Sequence, residues 1–256
     1  MTREEVIAKV PAVTLGFWAI KILATTLGET GGDTVSMSMN LGYLVGTAIF
    51  GAALVVLVWL QIAARKFHPS LYWLTIIAST TAGTTLADFA TRSLGIGYTG
   101  GSTLLFACVL AALLTWRLAL GTVSVSSVSE PKAEIFYWVT ITFSQTLGTA
   151  LGDWLADTGG LGYLGAAVVF GAGLTILAAL YFFSSANRTA LFWAAFILTR
   201  PLGAAVGDFL DKPLDHGGLA LSRPIASLVL GLAIAALIAV LPQRAGRHPS
   251  EQVLAG

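Results

Sequence analysis

Two long stretches without a charged side chain constrain the fold of this chain more than any other feature. Residues 41–64 and 158–187 contain no Asp, Glu, Lys or Arg. Each exceeds the roughly 20 residues that a helix needs to cross about 30 Å of hydrocarbon. A soluble core helix has no reason to stay apolar on every side for so long. Because only 11% of the 256 residues are charged and the mean hydropathy is +0.82, the sequence predicts an all-α polytopic membrane protein.

Prolines, charges and glycine clusters divide the apolar sequence into eight predicted transmembrane segments. These segments cover residues 10–30, 41–64, 70–91, 98–121, 134–156, 162–185, 190–211 and 222–242. Neighbouring segments are expected to pair into four hairpins. The charged N-terminus is followed by no signal-peptide cleavage pattern, so the first segment is expected to remain in the protein.

The distribution of basic residues predicts the orientation in the membrane. Nine basic residues fall in the tails and in the loops after the second, fourth and sixth segments, namely Arg3, Lys9, Arg65, Lys66, Arg117, Lys132, Arg188, Arg244 and Arg247. The opposite side holds only three, Arg92, Lys212 and Arg223. Since short loops rich in Lys and Arg stay in the cytoplasm, both termini are expected there.

An internal repeat recurs four times along the chain. Four octets mark it: "TLGETGGD" at 26–33, "TAGTTLAD" at 81–88, "TLGTALGD" at 146–153 and "PLGAAVGD" at 201–208. Each octet begins eight residues after a tryptophan, and these are Trp18, Trp73, Trp138 and Trp193. The tryptophans themselves are interpreted as anchors at the membrane interface.

The repeats predict a single transmembrane domain over residues 1–256 with internal pseudo-symmetry. The copies cover residues 10–64, 70–121, 134–185 and 190–242, and a polar linker at 121–134 divides them into two halves. Each copy crosses the membrane twice and returns to its starting side. All copies should therefore run parallel about an axis along the membrane normal, as eight helices in four two-helix repeats.

These features give the chain a family resemblance. It resembles bacterial membrane proteins built from four tandem copies of a two-helix repeat of unknown function, each with a characteristic tryptophan. The resemblance implies the fold and a multi-pass location in the bacterial cytoplasmic membrane, and it implies no activity. The fourth copy departs most from the pattern, with Pro201 in place of Thr and Gly218 in place of Tyr.

The polar residues of each octet share one helix face at 100° per residue. The carboxylates predicted to bind a metal ion are Glu29, Asp33, Asp88, Asp153 and Asp208. The other residues predicted to line the ion pathway are Thr26, Thr81, Thr84, Thr146, Thr149, Gln145, Arg200 and Lys21. Small residues beside this stripe, such as Gly28 and Gly32, allow close approach of helices in lipid. The four odd-numbered helices are therefore expected to surround a polar axis.

The leading functional hypothesis is a transporter that binds a cation through this cluster. Ligands that are all oxygen favour hard cations such as Mn²⁺, Mg²⁺ or Ca²⁺, and proton-coupled export of Mn²⁺ is the preferred version. In the alternative, a non-transporting scaffold or sensor, the aspartates pair with Arg92, Lys212 or Arg223, or are solvated at the outer interface. Transport of a small organic ion is a third reading, because Arg200 could face an anionic substrate.

Other classes find little support in the sequence. No hydrolase or zinc-protease motif is present, so no enzyme activity is expected. Cys108 is the only cysteine, and His68, His216 and His248 all fall in predicted loops. A net charge of +1 gives no case for nucleic-acid binding. The expected partners are the lipid bilayer, an inorganic cation as substrate and protons; a homo-oligomer is compatible with the sequence, and no further cofactor is expected.

Overall fold

The computed structural model describes residues 8–246, and the predictions that concern Arg3, Arg247 and His248 lie outside that range. Eight α-helices form in the described range: α1 (Leu15–Asp33), α2 (Gly42–Ala63), α3 (Pro69–Asp88), α4 (Tyr98–Leu120), α5 (Pro131–Asp153), α6 (Gly162–Phe183), α7 (Arg188–Asp211) and α8 (Arg223–Val240). No β-strand forms within residues 8–246, where Pro11 and Ala245 make one isolated bridge. The predicted all-α class is confirmed.

Five of the described helices are long and apolar enough to cross a membrane, namely α2, α4, α6, α7 and α8. In α2, α4, α6 and α8 only 6–11% of the apolar window is buried inside the protein. Such uniformly apolar, outward-facing helices would be insoluble in water, whereas lipid covers them without cost. The chain is therefore a membrane protein. The remaining helices, α1, α3 and α5, carry more polar residues because they face the interior.

The odd-numbered helices form a closed inner ring. Helix α1 contacts α3 and α7, and α5 contacts the same two helices. The even-numbered helices pack around this ring: α2 on α3, α4 on α5, α6 on α7 and α8 on α1. The expected hairpins are therefore wrong as packing units. Each even helix crosses over to the odd helix of the next repeat, and α8 returns to the first.

Glycines let the inner helices touch. A Cβ atom on Gly28 would lie 2.3 Å from Thr80, and one on Gly203 would lie 2.2 Å from Thr25. In the same way Gly148 lies against Arg200, where a Cβ atom would come within 2.1 Å of the side chain. The predicted role of the small residues in close helix approach is thus confirmed, and each glycine receives a side chain from the following helix of the ring.

Aromatic side chains close one end of the inner ring, and we call them the aromatic layer: Phe17, Trp18, Tyr72, Trp73, Tyr137, Trp138, Phe192 and Trp193. Each tryptophan packs on the aromatic residue that precedes the tryptophan of a neighbouring helix. The centroid distances are 5.5 Å for Phe17 and Trp73, 5.8 Å for Tyr72 and Trp138, 6.2 Å for Tyr137 and Trp193, and 5.7 Å for Phe192 and Trp18.

The aromatic layer corrects the interpretation as interface anchors for three of the four repeat tryptophans, while Trp18 is half-buried. Trp73, Trp138 and Trp193 are buried in the protein, with exposed fractions of 4% or less. An anchor would expose its ring to the lipid headgroups. Residues near both limits of the described range lie across the aromatic layer. There Gln243 accepts a hydrogen bond from Trp73, and Gly246 donates one to the carbonyl of Val10.

The opposite end of the inner ring is shaped by π-helical turns. Asp33, Asp88 and Asp153 are the last residues of their α-helices, and each is followed at once by a five-residue π-helical turn (Thr34–Ser38, Phe89–Ser93 and Trp154–Thr158). Helix α7 continues instead to Asp211. Since π turns inside helical segments are rare and often mark functional sites, their recurrence directs attention to the aspartates.

Candidate ion-binding site

The four repeat aspartates lie together at the end of the inner ring, and we call Asp33, Asp88, Asp153 and Asp208 the carboxylate layer. All four are buried, with at most 2% of each residue exposed. Solvation at an outer interface, one of the readings left open by the sequence, is therefore excluded. A carboxylate removed from water needs a compensating charge or hydrogen bonds.

Two basic residues bridge the aspartates in pairs. Arg92 Nε lies 2.9 Å from Asp88, and its Nη2 lies 3.0 Å from Asp153. Lys212 Nζ lies 2.8 Å from Asp208 and also bonds Asp33. Each base thus holds the aspartate one helical turn before it and the aspartate of the next helix in the ring. Among the alternatives that the sequence left open for these four carboxylates, pairing with basic residues is the one observed.

Lys212 lies just beyond the end of α7, surrounded by carboxylates. Burial lowers its pKa, but the carboxylates of Asp208, Asp33 and Asp211 raise it more, and the net pKa stands well above the ordinary value. The side chain therefore remains protonated as a fixed internal cation. Arg223 adds a further positive charge, 3.4 Å from Asp211 and 3.8 Å from Asp33.

Glu29 lies one turn inward of Asp33 and forms the centre of a second group. Its Oε2 is 3.0 Å from Nη2 of Arg200, whose side chain is completely buried. The same Nη2 donates to Thr84, at 2.5 Å, and to Thr149. The hydroxyls of Thr84 and Thr149 lie 3.3 and 3.4 Å from Glu29 Oε2. Four residues predicted from the sequence to share the polar axis are thus in mutual contact.

The remaining predicted pathway residues are also buried but have other contacts. Thr26, Thr81 and Thr146 donate to backbone carbonyls four residues earlier in their own helices. Their hydroxyl protons are therefore not directed at the carboxylates. Lys21 lies closer to the aromatic layer, with its Nζ 4.2 Å from the ring centroid of Phe196. Gln145 is fully buried on α5.

Two groups of three carboxylates are close enough to share a cation. Oxygens of Glu29, Asp33 and Asp88 all lie within 4.8 Å of one another, and so do those of Asp33, Asp208 and Asp211. Oxygens that coordinate one divalent cation at about 2.0–2.6 Å stand at most about 5 Å apart. Both groups therefore have the spacing of a metal site, and Asp33 belongs to both.

The charges of the described site do not balance. Six buried carboxylates take part in or adjoin its ion pairs: Glu29, Asp33, Asp88, Asp153, Asp208 and Asp211. Four basic side chains face them: Arg92, Arg200, Lys212 and Arg223. With every group ionised the cluster has two surplus negative charges, which matches one divalent cation or two protons.

Asp211 was missed by the analysis of the sequence. It stands three residues after Asp208, outside the repeated octet, so the alignment of the four copies gave it no counterpart. Its signal was the extra turn of α7, which ends at Asp211 and is followed by Lys212, where the first three copies have π-helical turns.

The comparison with protein families agrees with the repeats that form this site. The profile of a repeat of unknown function (DUF347) matches four tandem segments, residues 16–67, 71–122, 136–187 and 191–243. The chain belongs to this family. The family resemblance seen in the sequence is confirmed, and DUF347 repeats contribute the bridged aspartates of the carboxylate layer. None of the curated proteins and none of the solved structures compared with the chain matches it.

Proposed function

We propose that this DUF347 protein is a membrane transporter in which the buried carboxylates bind a cation. The observation that carries the proposal is a pair of buried carboxylate groups, each with three oxygens within 4.8 Å of one another, in a cluster that has two surplus negative charges when every group is ionised. Ionisable groups inside a membrane are costly and commonly mark ion or proton pathways. Oxygen-only ligands favour a hard divalent cation, such as Mn²⁺, as the substrate.

The proposed exchange uses the fixed internal cations. In the absence of substrate, Arg200 neutralises Glu29, and Lys212 shares its single positive charge between Asp33 and Asp208. An arriving cation binds between Glu29, Asp33 and Asp88 and replaces two protons or loosens these ion pairs. The aromatic layer closes the opposite end of the ring, which is the cytoplasmic end in the proposed topology. In export a cation therefore enters from that side when the aromatic side chains separate, and it leaves from the carboxylate layer. Proton-coupled export is the direction that we propose.

The proposed setting is the bacterial cytoplasmic membrane, with both termini in the cytoplasm. All eight helices would cross the bilayer as four parallel two-helix repeats about one axis, with lipid around the even-numbered helices. Cysteine labelling tests this topology. A thiol introduced at Ser126 or Arg188 should resist an impermeant reagent in intact cells, and labelling at either position would reverse the orientation.

Metal-dependent thermal stability tests cation binding. We expect Mn²⁺ to raise the Tm of the detergent-purified protein and to have little effect on an Asp33→Asn, Asp88→Asn double variant. Asp215→Asn is the matched control, because Asp215 is exposed and lies outside both carboxylate groups. A Tm rise of equal size in the wild type and the double variant would eliminate the metal site.

Transport itself is tested at Glu29. Glu29→Gln keeps the volume and can still accept a hydrogen bond from Arg200, but it cannot titrate. In proteoliposomes under an imposed pH gradient, we expect this variant to lose proton-coupled Mn²⁺ flux while remaining folded. Flux at the wild-type rate would refute the role of Glu29.

The pairing of the aspartates supports a second candidate, a non-transporting scaffold or sensor. In that role the bases Arg92 and Lys212 hold neighbouring helices together, and no ion needs to enter. A protein that neither binds Mn²⁺ nor carries any flux, yet loses stability when Lys212 is replaced, would favour this candidate. Transport of an organic ion would appear as flux that Mn²⁺ does not inhibit.

A further inference from the structure

A second polar layer lies between the carboxylate layer and the aromatic layer, and we call it the inner donor layer. Its members are buried side chains with a polar atom that has no hydrogen-bond partner within residues 8–246: Lys21, Thr80, Ser144, Gln145 and Arg200. For Lys21 this atom is the ammonium nitrogen, and for Arg200 it is Nε and Nη1. For Gln145 both ends of the amide lack a partner among the described residues.

Lys21 and Arg200 lie on adjoining turns of the contact between α1 and α7. Lys21 Nζ lies 4.2 Å from the ring centroid of Phe196, which precedes Arg200 by one helical turn. One turn after Lys21, the hydroxyl of Thr25 donates to the carbonyl of Thr199 at 3.1 Å. Lys21 therefore stands about one helical turn closer to the aromatic layer than Arg200.

Gln145 lies on α5, which also contacts α7, the helix of Arg200. Gly148, one turn further along α5, lies against Arg200, where a Cβ atom would be 2.5 Å from the Cβ of the arginine. On its other side Gln145 packs on Gly83, with a corresponding distance of 3.0 Å. Gln145 therefore lies one turn from the point where Arg200 packs on α5, and the N–H groups of its carboxamide have no partner among the described residues.

The inner donor layer contains two basic side chains, Lys21 and Arg200, and no carboxylate among its own members. Arg200 directs Nη2 at Glu29, at 3.0 Å, which balances one positive charge. Lys21 Nζ has no carboxylate oxygen within 4.0 Å in the described chain and lies against the aromatic face of Phe196, whose quadrupole attracts a cation only weakly. A buried ion without a partner is very costly.

We propose that the inner donor layer binds a small monovalent anion between Lys21, Arg200 and Gln145. The ammonium group and the free Arg200 nitrogens supply charge-assisted donors, and the amide of Gln145 completes the shell. One negative charge balances the charge of Lys21, so a monovalent anion fits and a divalent one does not. An inorganic halide and a small carboxylate share this chemistry. The site is separate from the carboxylate layer and does not depend on cation transport.

The test is anion-dependent thermal stability of the full chain in detergent at constant ionic strength. Sodium gluconate, whose anion is too bulky for the layer, is replaced stepwise by sodium chloride or by sodium formate. We expect a saturable rise of Tm by a few degrees at about 100 times Kd, because a ligand that binds only the folded state stabilises it. A rise with chloride alone identifies a halide as the bound anion, a rise with formate alone identifies a small carboxylate, and a rise with both shows that the site accepts either. No rise with either anion overturns the proposal.

Variants separate the site from a general salt effect. Lys21→Met removes the charge but keeps a long side chain, and we expect it to abolish the rise while leaving Tm in gluconate at or above that of the wild type. Lys66→Met is the matched control, since Lys66 is exposed, and it should retain the full rise. Gln145→Leu should increase the half-maximal anion concentration about fivefold, the effect of one hydrogen bond. A wild-type response in either Lys21→Met or Gln145→Leu would overturn the proposal.

Discussion

Removing Arg200 should destabilise the protein chiefly by leaving Glu29 unneutralised. Both side chains are buried, and their closest nitrogen and oxygen atoms are 3.0 Å apart. Breaking a buried ion pair from one side costs about 3–5 kcal/mol. Thr84 and Thr149 remain within 3.4 Å of Glu29 and can still donate to it, so we place the loss for Arg200→Met at the lower end, about 3 kcal/mol.

The double variant Glu29→Gln, Arg200→Met isolates this effect. Because it removes both charges, it should be more stable than Arg200→Met alone, with a coupling energy of about 2–3 kcal/mol. Unfolding in mixed detergent micelles can be followed by the fluorescence of the seven tryptophans. Lower pH should also narrow the gap between the wild type and Arg200→Met, because a proton on Glu29 removes the unpaired charge. Additive losses in the double variant, with no pH dependence, would refute the ion-pair explanation.

Two further predictions concern the bridges and the helix contacts. Lys212→Gln should lower the Tm more than Arg92→Gln. The Lys212 side chain is 8% exposed and that of Arg92 is 32% exposed, so water screens the ion pairs of the arginine more strongly. Equal losses of Tm in the two variants, measured in one detergent, would contradict this. Gly203→Ala should cost about 1–3 kcal/mol by overpacking against Thr25, while Gly51→Ala, with nothing within 4 Å of its Cβ position, should cost nothing in the same unfolding assay.

Much of the inner ring could be predicted because its positions repeat. The octets placed Thr84 and Thr149 on the face of Glu29, and the structure joins all three through Arg200. Local periodicity sufficed for this, since each residue needs only its position on its own helix. The outer packing could not be predicted in the same way. Helix α2 is apolar on every side, so no stripe in its sequence indicates that it packs on α3 and not on α1.

The aromatic layer was missed for a different reason. A tryptophan near the end of an apolar segment fits an interface anchor and a buried layer equally well. The discriminating signal was its neighbour: Phe17, Tyr72, Tyr137 and Phe192 each stand directly before a repeat tryptophan. Two successive aromatic residues point in directions about 100° apart on a helix, so they reach both neighbours in a ring. An isolated anchor does not need the second aromatic residue.

The bases that bridge the aspartates break the fourfold pattern and leave two helix contacts of the ring without a bridge. Arg92 and Lys212 occur four residues after the aspartates of the second and fourth repeats, and the corresponding residues in the first and third are Met37 and Asp157. Each base joins its own aspartate to that of the next helix in the ring. The contacts between α1 and α3 and between α5 and α7 therefore lack such a bridge. The group of Glu29, Asp33 and Asp88 lies at the first of these contacts.

Met37→Lys tests whether this missing bridge creates the cation site. By the geometry of Arg92 and Lys212, a lysine at position 37 should bond Asp33 and Asp88, raise the Tm in metal-free buffer and abolish the additional rise with Mn²⁺. Met39→Lys is the matched control, because Met39 lies two residues further on and is exposed; it should leave the Mn²⁺ response unchanged. If Met37→Lys still responds to Mn²⁺ as the wild type does, the cation does not bind between α1 and α3. The second carboxylate group, formed by Asp33, Asp208 and Asp211, would then be the site to test.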